Sequence, residues 1–312
     1  MCFHGSPGYG AGPWSFLAEG MGRKEGSMGG SEVPRVADKK GIVWVHWLLG
    51  HNKVLSWGTD DGKDAELGRW PLQGSLRLWG SHCCGASLLN RRWVLSAAHY
   101  TYEWSVQFGE LSVTPPIWSL RAYLHRYRVK SIIIYPKSRN YLQDDSSLLK
   151  LSSSVTFNKH IQPVCVLSSS SVFKNRDDCW VNGWGDIHET KNLPPPYNLQ
   201  EVQVSIINKS RCSYLFHQPD YSSHSSNNMI CPGSEDGNTD ACKGDPGRPL
   251  VCEKNGPWIQ IGIVSWGVGC GRCNLAGIYT NVSSYFNWIQ ILVGRSTPRP
   301  EPSQLLLPLT LL

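Results

Sequence analysis

From residue 64 onward the chain is built of short runs in which apolar and polar residues alternate. The clearest are Ser75–Trp79, Arg92–Ser96, Tyr127–Tyr135, Leu199–Ile207 and Trp258–Ser265. A period of two places every second side chain on the same face, the pattern of a strand with one side in a core. Each run ends in Gly, Pro, Ser or Asn, and many short strands separated by such turns indicate a sandwich or a barrel. One stretch near the end has helical period instead. Tyr285, Trp288, Ile289 and Leu292 fall on one face, with Ser283 or Ser284 as the N-cap.

The pattern also divides the chain. Residues 1–58 show no periodicity, and their Gly, Lys and Ser content reads as disorder, an atypical N-terminal segment. Residues 59–293 form the expected folded domain, and 294–312 are a Pro/Ser-rich linker with a Leu-rich tail. No apolar run reaches the roughly 18 residues that span a membrane. Met1–Gly20 lacks a basic head followed by an apolar core, so no signal peptide is recognisable; the apolar stretch 41–49 lies too deep in the chain to serve as one.

Composition narrows the function classes. The net charge of +6 comes from scattered Lys and Arg, without the basic stripe that nucleic-acid binding uses, so no nucleic-acid partner is expected. Only 17% of residues are charged, beside 31 Gly and 20 Pro, which suits an all-β, turn-rich fold. Eleven cysteines point to an oxidising compartment, hence to an extracellular or cell-surface protein, and the odd number leaves at least one thiol over. Asn208-Lys209-Ser210 and Asn281-Val282-Ser283 are glycosylation sequons. The tail Leu305–Leu312, after its polar spacer, resembles a short lipid-anchor signal and implies possible membrane association.

The stretch around which the rest is organised is Thr239-Asp240-Ala241-Cys242-Lys243-Gly244-Asp245-Pro246-Gly247-Arg248-Pro249-Leu250-Val251-Cys252. Other motifs precede and follow it in order: Gly68-Arg69-Trp70-Pro71, Cys84-Gly85-Ala86-Ser87-Leu88, Trp93-Val94-Leu95-Ser96-Ala97-Ala98-His99, Asp145-Ser146-Ser147-Leu148-Leu149-Lys150-Leu151, Cys179-Trp180-Val181-Asn182-Gly183-Trp184-Gly185 and Ser265-Trp266-Gly267. Together they resemble the trypsin-like serine proteases from Asp64 to Val293. The resemblance implies a double six-stranded antiparallel β-barrel with a C-terminal helix, the first barrel over about 64–167 and the second over 168–293.

Residue roles follow by the same resemblance. His99 matches the general base and Asp145 the carboxylate that orients it, although the adjacent Asp144 leaves that register open by one. Asp240 matches the floor of a specificity pocket for Arg or Lys, with Ser265, Trp266, Gly267 and Gly277 as its walls. Gly244 matches one oxyanion N–H donor. At the nucleophilic serine this chain has Pro246, which carries neither a hydroxyl nor a backbone N–H. Taken alone, Gly-Asp-Pro-Gly would read as a surface turn. Arg248 stands where the family has glycine, and torsions that an arginine resists are expected there.

The family's disulfides map onto Cys179–Cys252, Cys212–Cys231 and Cys242–Cys270. The partner expected for Cys84 is absent, because Tyr100 follows His99. Cys165 would pair with an N-terminal cysteine, for which Cys2 is the candidate. Cys270-Gly271-Arg272-Cys273 has redox or zinc spacing, but no second pair accompanies it, so no metal or cofactor is expected. The family is activated by cleavage before Ile-Val-Gly-Gly; here Gly58-Thr59-Asp60-Asp61-Gly62 stands in its place, and Asp245 lacks its expected partner.

Three functional readings result. The first is a catalytically silent, monomeric homologue that holds basic peptides, protein substrates or protease inhibitors in the cleft around Asp240. The second is an active serine-type endopeptidase, a hydrolase cutting after Arg or Lys. The third is a decayed or misassembled product with no stable role.

Overall fold

The computed structural model describes residues 62–97, 104–136, 146–185, 193–216, 228–233, 246–266 and 278–294. Its first strand, β1 (Lys63–Asp64), precedes six that close on themselves: β2 (Gln73–Leu78), β3 (Ser81–Leu88), β4 (Trp93–Ser96), β5 (Trp104–Phe108), β6 (Arg126–Ile134) and β7 (Ser147–Leu151). They pair in the order β2-β3-β4-β7-β6-β5, a closed barrel. Alternation fills it. Leu76, Ala86, Leu88, Val94, Val106, Phe108, Leu149 and Leu151 point inward from successive strands and form one buried cluster. Between β5 and β6 lies a single helical turn and a half, α1 (Leu120–Leu124).

The second half contains β8 (Cys179–Gly183), β9 (Gln200–Val204), β10 (Ile206–Ile207), α2 (Lys209–Phe216), β11 (Met229–Pro232), β12 (Pro249–Glu253), β13 (Trp258–Trp266), β14 (Ile278–Asn281) and α3 (Phe286–Gly294). The sheet order is β1-β9-β8-β12-β13-β14-β11-β10. Apart from the two-residue β1 at its edge, its ends are β9 and β10, consecutive pieces of one stretch separated by Ser205 alone. The run expected as one strand, Leu199–Ile207, is thus broken at Ser205, whose carbonyl accepts from the Gly233 N–H at 2.9 Å. β9 pairs with β8 on one side of the break and β10 with β11 on the other. The sheet therefore joins six main strands, the interrupted β9–β10 stretch counting as one and β1 adding to its edge. Val181, Val204, Leu250, Ile259 and Ile261 fill its core.

Helix α3 is reached through a tighter turn over Val282–Tyr285. The sequence pointed to Ser283 or Ser284 as its cap. In the structure both serines lie inside that turn, and it is the turn that is capped, by Asn281, whose side chain accepts from the Ser283 N–H. An Asn at the end of β14 satisfies the free amide one turn earlier than a serine would. Tyr285, Ile289 and Val293 then pack, with Trp93, Leu95 and Leu148, into a cluster that runs between the barrels.

Two further contacts hold the halves together. Glu201 on β9 is 2% exposed, yet it is fully engaged. It accepts from the Trp70 indole at 2.7 Å and pairs with Arg69 at 2.7 Å and Lys63 at 3.4 Å. The segment leading into the first barrel is thereby tied to the second. The other contact is backbone on backbone. Gly247, at φ +88°, lies so close to β3 that a Cβ there would sit 2.3 Å from the Gly85 carbonyl oxygen and 2.5 Å from Ser96 Oγ. A Cβ on Gly85 would in turn come within 2.8 Å of the Arg248 Cα.

Gly247→Ala should therefore be far more damaging than substitution of another left-handed glycine. The torsion alone costs about 1–2 kcal/mol, and a clash against backbone has no flexible side chain to absorb it. Gly256 provides the control, since it has φ +102° in the β12–β13 turn with nothing within 4 Å of its Cβ position. Urea unfolding should show Gly256→Ala losing about 1 kcal/mol and Gly247→Ala losing at least about 3 kcal/mol or failing to fold. Equal losses would show that the two halves do not meet as described.

Candidate active site

Strand ends from both halves meet at Gly247. β4 and β7 end side by side, with Ser96 opposite Ser147. Ser147 Oγ donates to the Ala97 carbonyl at 2.7 Å, and Ser96 Oγ donates to the Gly85 carbonyl at 2.8 Å. The Gly85 N–H donates to the Pro246 carbonyl at 2.9 Å. The Gly247 N–H donates to the Val264 carbonyl at 2.7 Å, and the Val264 N–H returns a bond to the Arg248 carbonyl at 2.9 Å. One hydrogen-bonded array thus runs from β7 through β4 and β3 to the chain entering β12 and on to β13.

Each of those strands leads to a residue singled out in the sequence. His99 is three residues beyond Ser96, Asp145 is two before Ser147, and Pro246 is three before β12. Pro246 itself is described, half-buried at a turn. His99, Asp145, Asp240, Gly244, Gly267 and Gly277 lie outside the described residues, as do Asp144, Asp245, Cys242 and Cys270. Of the pocket walls, Ser265 is buried near the end of β13, and Trp266 is the last residue of that strand.

Proline followed by a glycine at φ +88° is the pairing of a type II turn. The local conformation at 246–247 is thus one that these two residues favour. It is no surface turn, however: Gly247 and Arg248 are both buried. The strained arginine expected at 248 is absent, because the left-handed torsion belongs to Gly247 and Arg248 is outside the positive-φ region. Arg248 is instead 5% exposed, its Cα and Cγ pressed on Gly85.

Among the described residues, the neighbouring hydroxyls do not supply another nucleophile. Ser96 and Ser147 are buried and spend their protons on backbone carbonyls. A Ser–His pair that the sequence did not disclose joins Ser75 Oγ to His82 Nδ1 at 2.8 Å across the β2–β3 hairpin. Ser75 is 1% exposed and also accepts from Arg77 at 3.3 Å, so substrate has no access to it. Burial, with the charge of Arg126 second, brings Arg77 down to about 10; it remains a cation at neutral pH and bridges to the Val113 and Gly80 carbonyls. Only the register in β2 and β3 brings Ser75 and His82 together, seven residues apart, which is why no local motif announces them.

Two disulfides are present among the described residues. Cys179–Cys252 joins β8 to β12 where they are already register partners, and Cys212–Cys231 joins α2 to β11. Cys165 is also disulfide-bonded, to a residue outside the described ones. Cys84 is buried in the first-barrel core, and the partly buried Cys83 beside it is a free thiol. No group of His, Cys, Asp or Glu among the described residues has a metal-binding arrangement. No described helix is long and apolar enough to cross a membrane.

Residues 59–289 match the trypsin family. Human serine protease 41 is 51% identical over 301 residues, covering 94% of this chain and 94% of that protein. Human testisin is 53% identical over 261 residues, covering 80% of this chain and 83% of its own length. With the closed barrel, the second sheet and the C-terminal helix in place, the chain belongs to the trypsin-like serine proteases.

Proposed function

We propose that this trypsin-like chain is a catalytically silent homologue, a pseudoprotease that holds basic peptides, protein substrates or protease inhibitors in its cleft. The single observation that carries this reading is Pro246. Acyl transfer in this family starts from a hydroxyl that a histidine deprotonates, and the charge that develops on the carbonyl oxygen is met by two backbone N–H groups. A proline at the nucleophile position removes the hydroxyl and one of the two donors together. Gly244 remains as the second donor, and His99 with Asp145 remains as a base that has no proton to take.

Binding survives such a loss because it rests on other atoms. In this reading Asp240 pairs with an Arg or Lys side chain of the ligand, and Ser265, Trp266, Gly267 and Gly277 line the slot around it. A charge-assisted, bidentate contact with arginine suits that task. The cysteine content and the disulfides support an extracellular or cell-surface setting. Asn208 is exposed at the start of α2 and suits a glycan, Asn281 is half-buried in its capping role, and the Leu-rich tail is read as a short lipid-anchor signal. The folded unit acts as a monomer. The second reading, an active endopeptidase, is favoured by the likeness to human serine protease 41.

A repair series separates the two readings. Wild-type protein should not turn over an arginine amide substrate, since loss of the serine in an enzyme of this kind removes about 10⁶ of the rate. Pro246→Ser alone should restore little. The stretch 58–62 still lacks a basic cleavage residue and the apolar new terminus that orders the pocket, and a misplacement of about 1 Å can cost roughly 10²-fold. Pro246→Ser with Arg248→Gly and an Arg-Ile-Val-Gly-Gly graft over Gly58–Gly62, after cleavage, should be active. Wild-type turnover abolished by His99→Ala would establish the endopeptidase instead.

Ligand binding is tested separately. An arginine-containing peptide, followed by calorimetry, should bind wild-type protein and lose at least about tenfold in affinity with Asp240→Asn. Unchanged affinity in that variant would remove Asp240 from the binding site.

A further inference from the structure

Between β5 and β6 the chain presents a cluster of large apolar side chains to solvent. Ile117 is 98% exposed, Trp118 83%, Leu120 68%, Tyr123 78% and Leu124 60%. All five lie within eight residues, whereas monomeric proteins rarely expose apolar patches of more than a few hundred Å², and larger ones mark interaction sites.

The tip is held in this arrangement. The Ser119 N–H bonds the Pro116 carbonyl at 2.9 Å, and Ser119 Oγ caps α1 by accepting from the Ala122 N–H at 3.2 Å. Glu110 grips Arg121 through two bonds, of 3.2 and 3.0 Å. At 3.6 residues per turn, Leu120, Tyr123 and Leu124 share a sector of about 100°. Ala122 faces the other way and is buried. The helix thus turns its only small side chain inward and its large ones outward, the reverse of what folding stability alone would select.

Charge around the tip identifies what it meets. Residues 111–143 contain no Asp or Glu, but six Lys and Arg. Glu110, just before them, is neutralised by Arg121. Arg126, Arg128 and Lys130 follow α1 directly, at alternate positions of β6, and all three are exposed. At about 3.3 Å per residue they form a basic row of roughly 13 Å beside the apolar tip. Trp and Tyr are the side chains that settle at a membrane–water interface, with apolar neighbours below them and Lys or Arg at the headgroup level.

We propose that the tip formed by Ile117, Trp118, Leu120, Tyr123 and Leu124, with the Arg126-Arg128-Lys130 row, is a docking surface for an anionic phospholipid membrane. The apolar side chains enter the interfacial layer and the basic row contacts headgroup phosphates and carboxylates. The surface involves no residue of the candidate active site and stands whether or not the chain is catalytic.

The test is flotation of the full-length protein with phosphatidylcholine vesicles, with or without 30% phosphatidylserine. Binding should favour the anionic vesicles by at least tenfold and weaken with salt, because exposed charges are screened within about 8 Å at physiological ionic strength. Trp118→Ser with Leu124→Ser should reduce the partition coefficient at least tenfold at unchanged melting temperature. Arg128→Glu with Lys130→Glu should reduce it by about 25-fold or more, at about fivefold for each basic residue lost. Several outcomes would overturn the proposal: no binding to either vesicle; equal binding to both; binding that both double variants retain, which would place it in the Leu-rich tail; or a dimer that the Trp118→Ser/Leu124→Ser variant dissolves, which would make the tip a contact between copies.

Discussion

The close approach of two backbones at Gly85 and Gly247 sets the geometry of everything near position 246. No side chain fits between them, as the 2.3 Å from a hypothetical Gly247 Cβ to the Gly85 carbonyl makes plain. Hydrogen bonds from Gly85 to Pro246 and from Gly247 to Val264 then fix the chain entering β12 against strands of both halves. Ser96 locks the other face by donating to the Gly85 carbonyl. The proline is accommodated here because its missing N–H is not needed in this array: its carbonyl makes the contact, and the following glycine takes the left-handed torsion. A proline at 246 is therefore compatible with the hydrogen-bonded scaffold around it.

Much of the architecture was legible in alternation. The runs at 75–79, 92–96, 127–135 and 258–265 became β2, β4, β6 and β13 with ends shifted by one or two residues. The break at Ser205 was not legible, because the apolar pattern of 199–207 continues through it, and only the two different partners of β9 and β10 divide the stretch. The turn over Val282–Tyr285, capped by Asn281, was hidden for a related reason. Serines at 283 and 284 suit the position as well by residue type, and the choice falls to where β14 ends.

The site residues are named from motifs rather than from physics, and most of them lie outside the described residues. Nothing local marks Glu201 as the buried anchor of Trp70, Arg69 and Lys63, or Ser75 as the partner of His82, because those contacts depend on strand register. Arg248 shows the limit of reasoning by residue type. A glycine at the equivalent position suggested a torsion, whereas the constraint at 248 is steric and falls on Gly85 across the seam. The tip at 117–124 has no signature in the sequence, because Ile, Trp, Leu and Tyr there look like core residues and exposure alone distinguishes them.

In the proposed reading, no residue of the cleft acts as an acyl acceptor. The most direct measurement is intact-protein mass spectrometry after incubation of the native wild-type chain with diisopropyl fluorophosphate, which phosphorylates an activated serine once per active site with loss of fluoride. The account predicts an unchanged mass, since position 246 has no hydroxyl and Ser96, Ser147 and Ser75 are buried and hydrogen-bonded. A stoichiometric adduct on a serine of this chain, lost in His99→Ala, would contradict it.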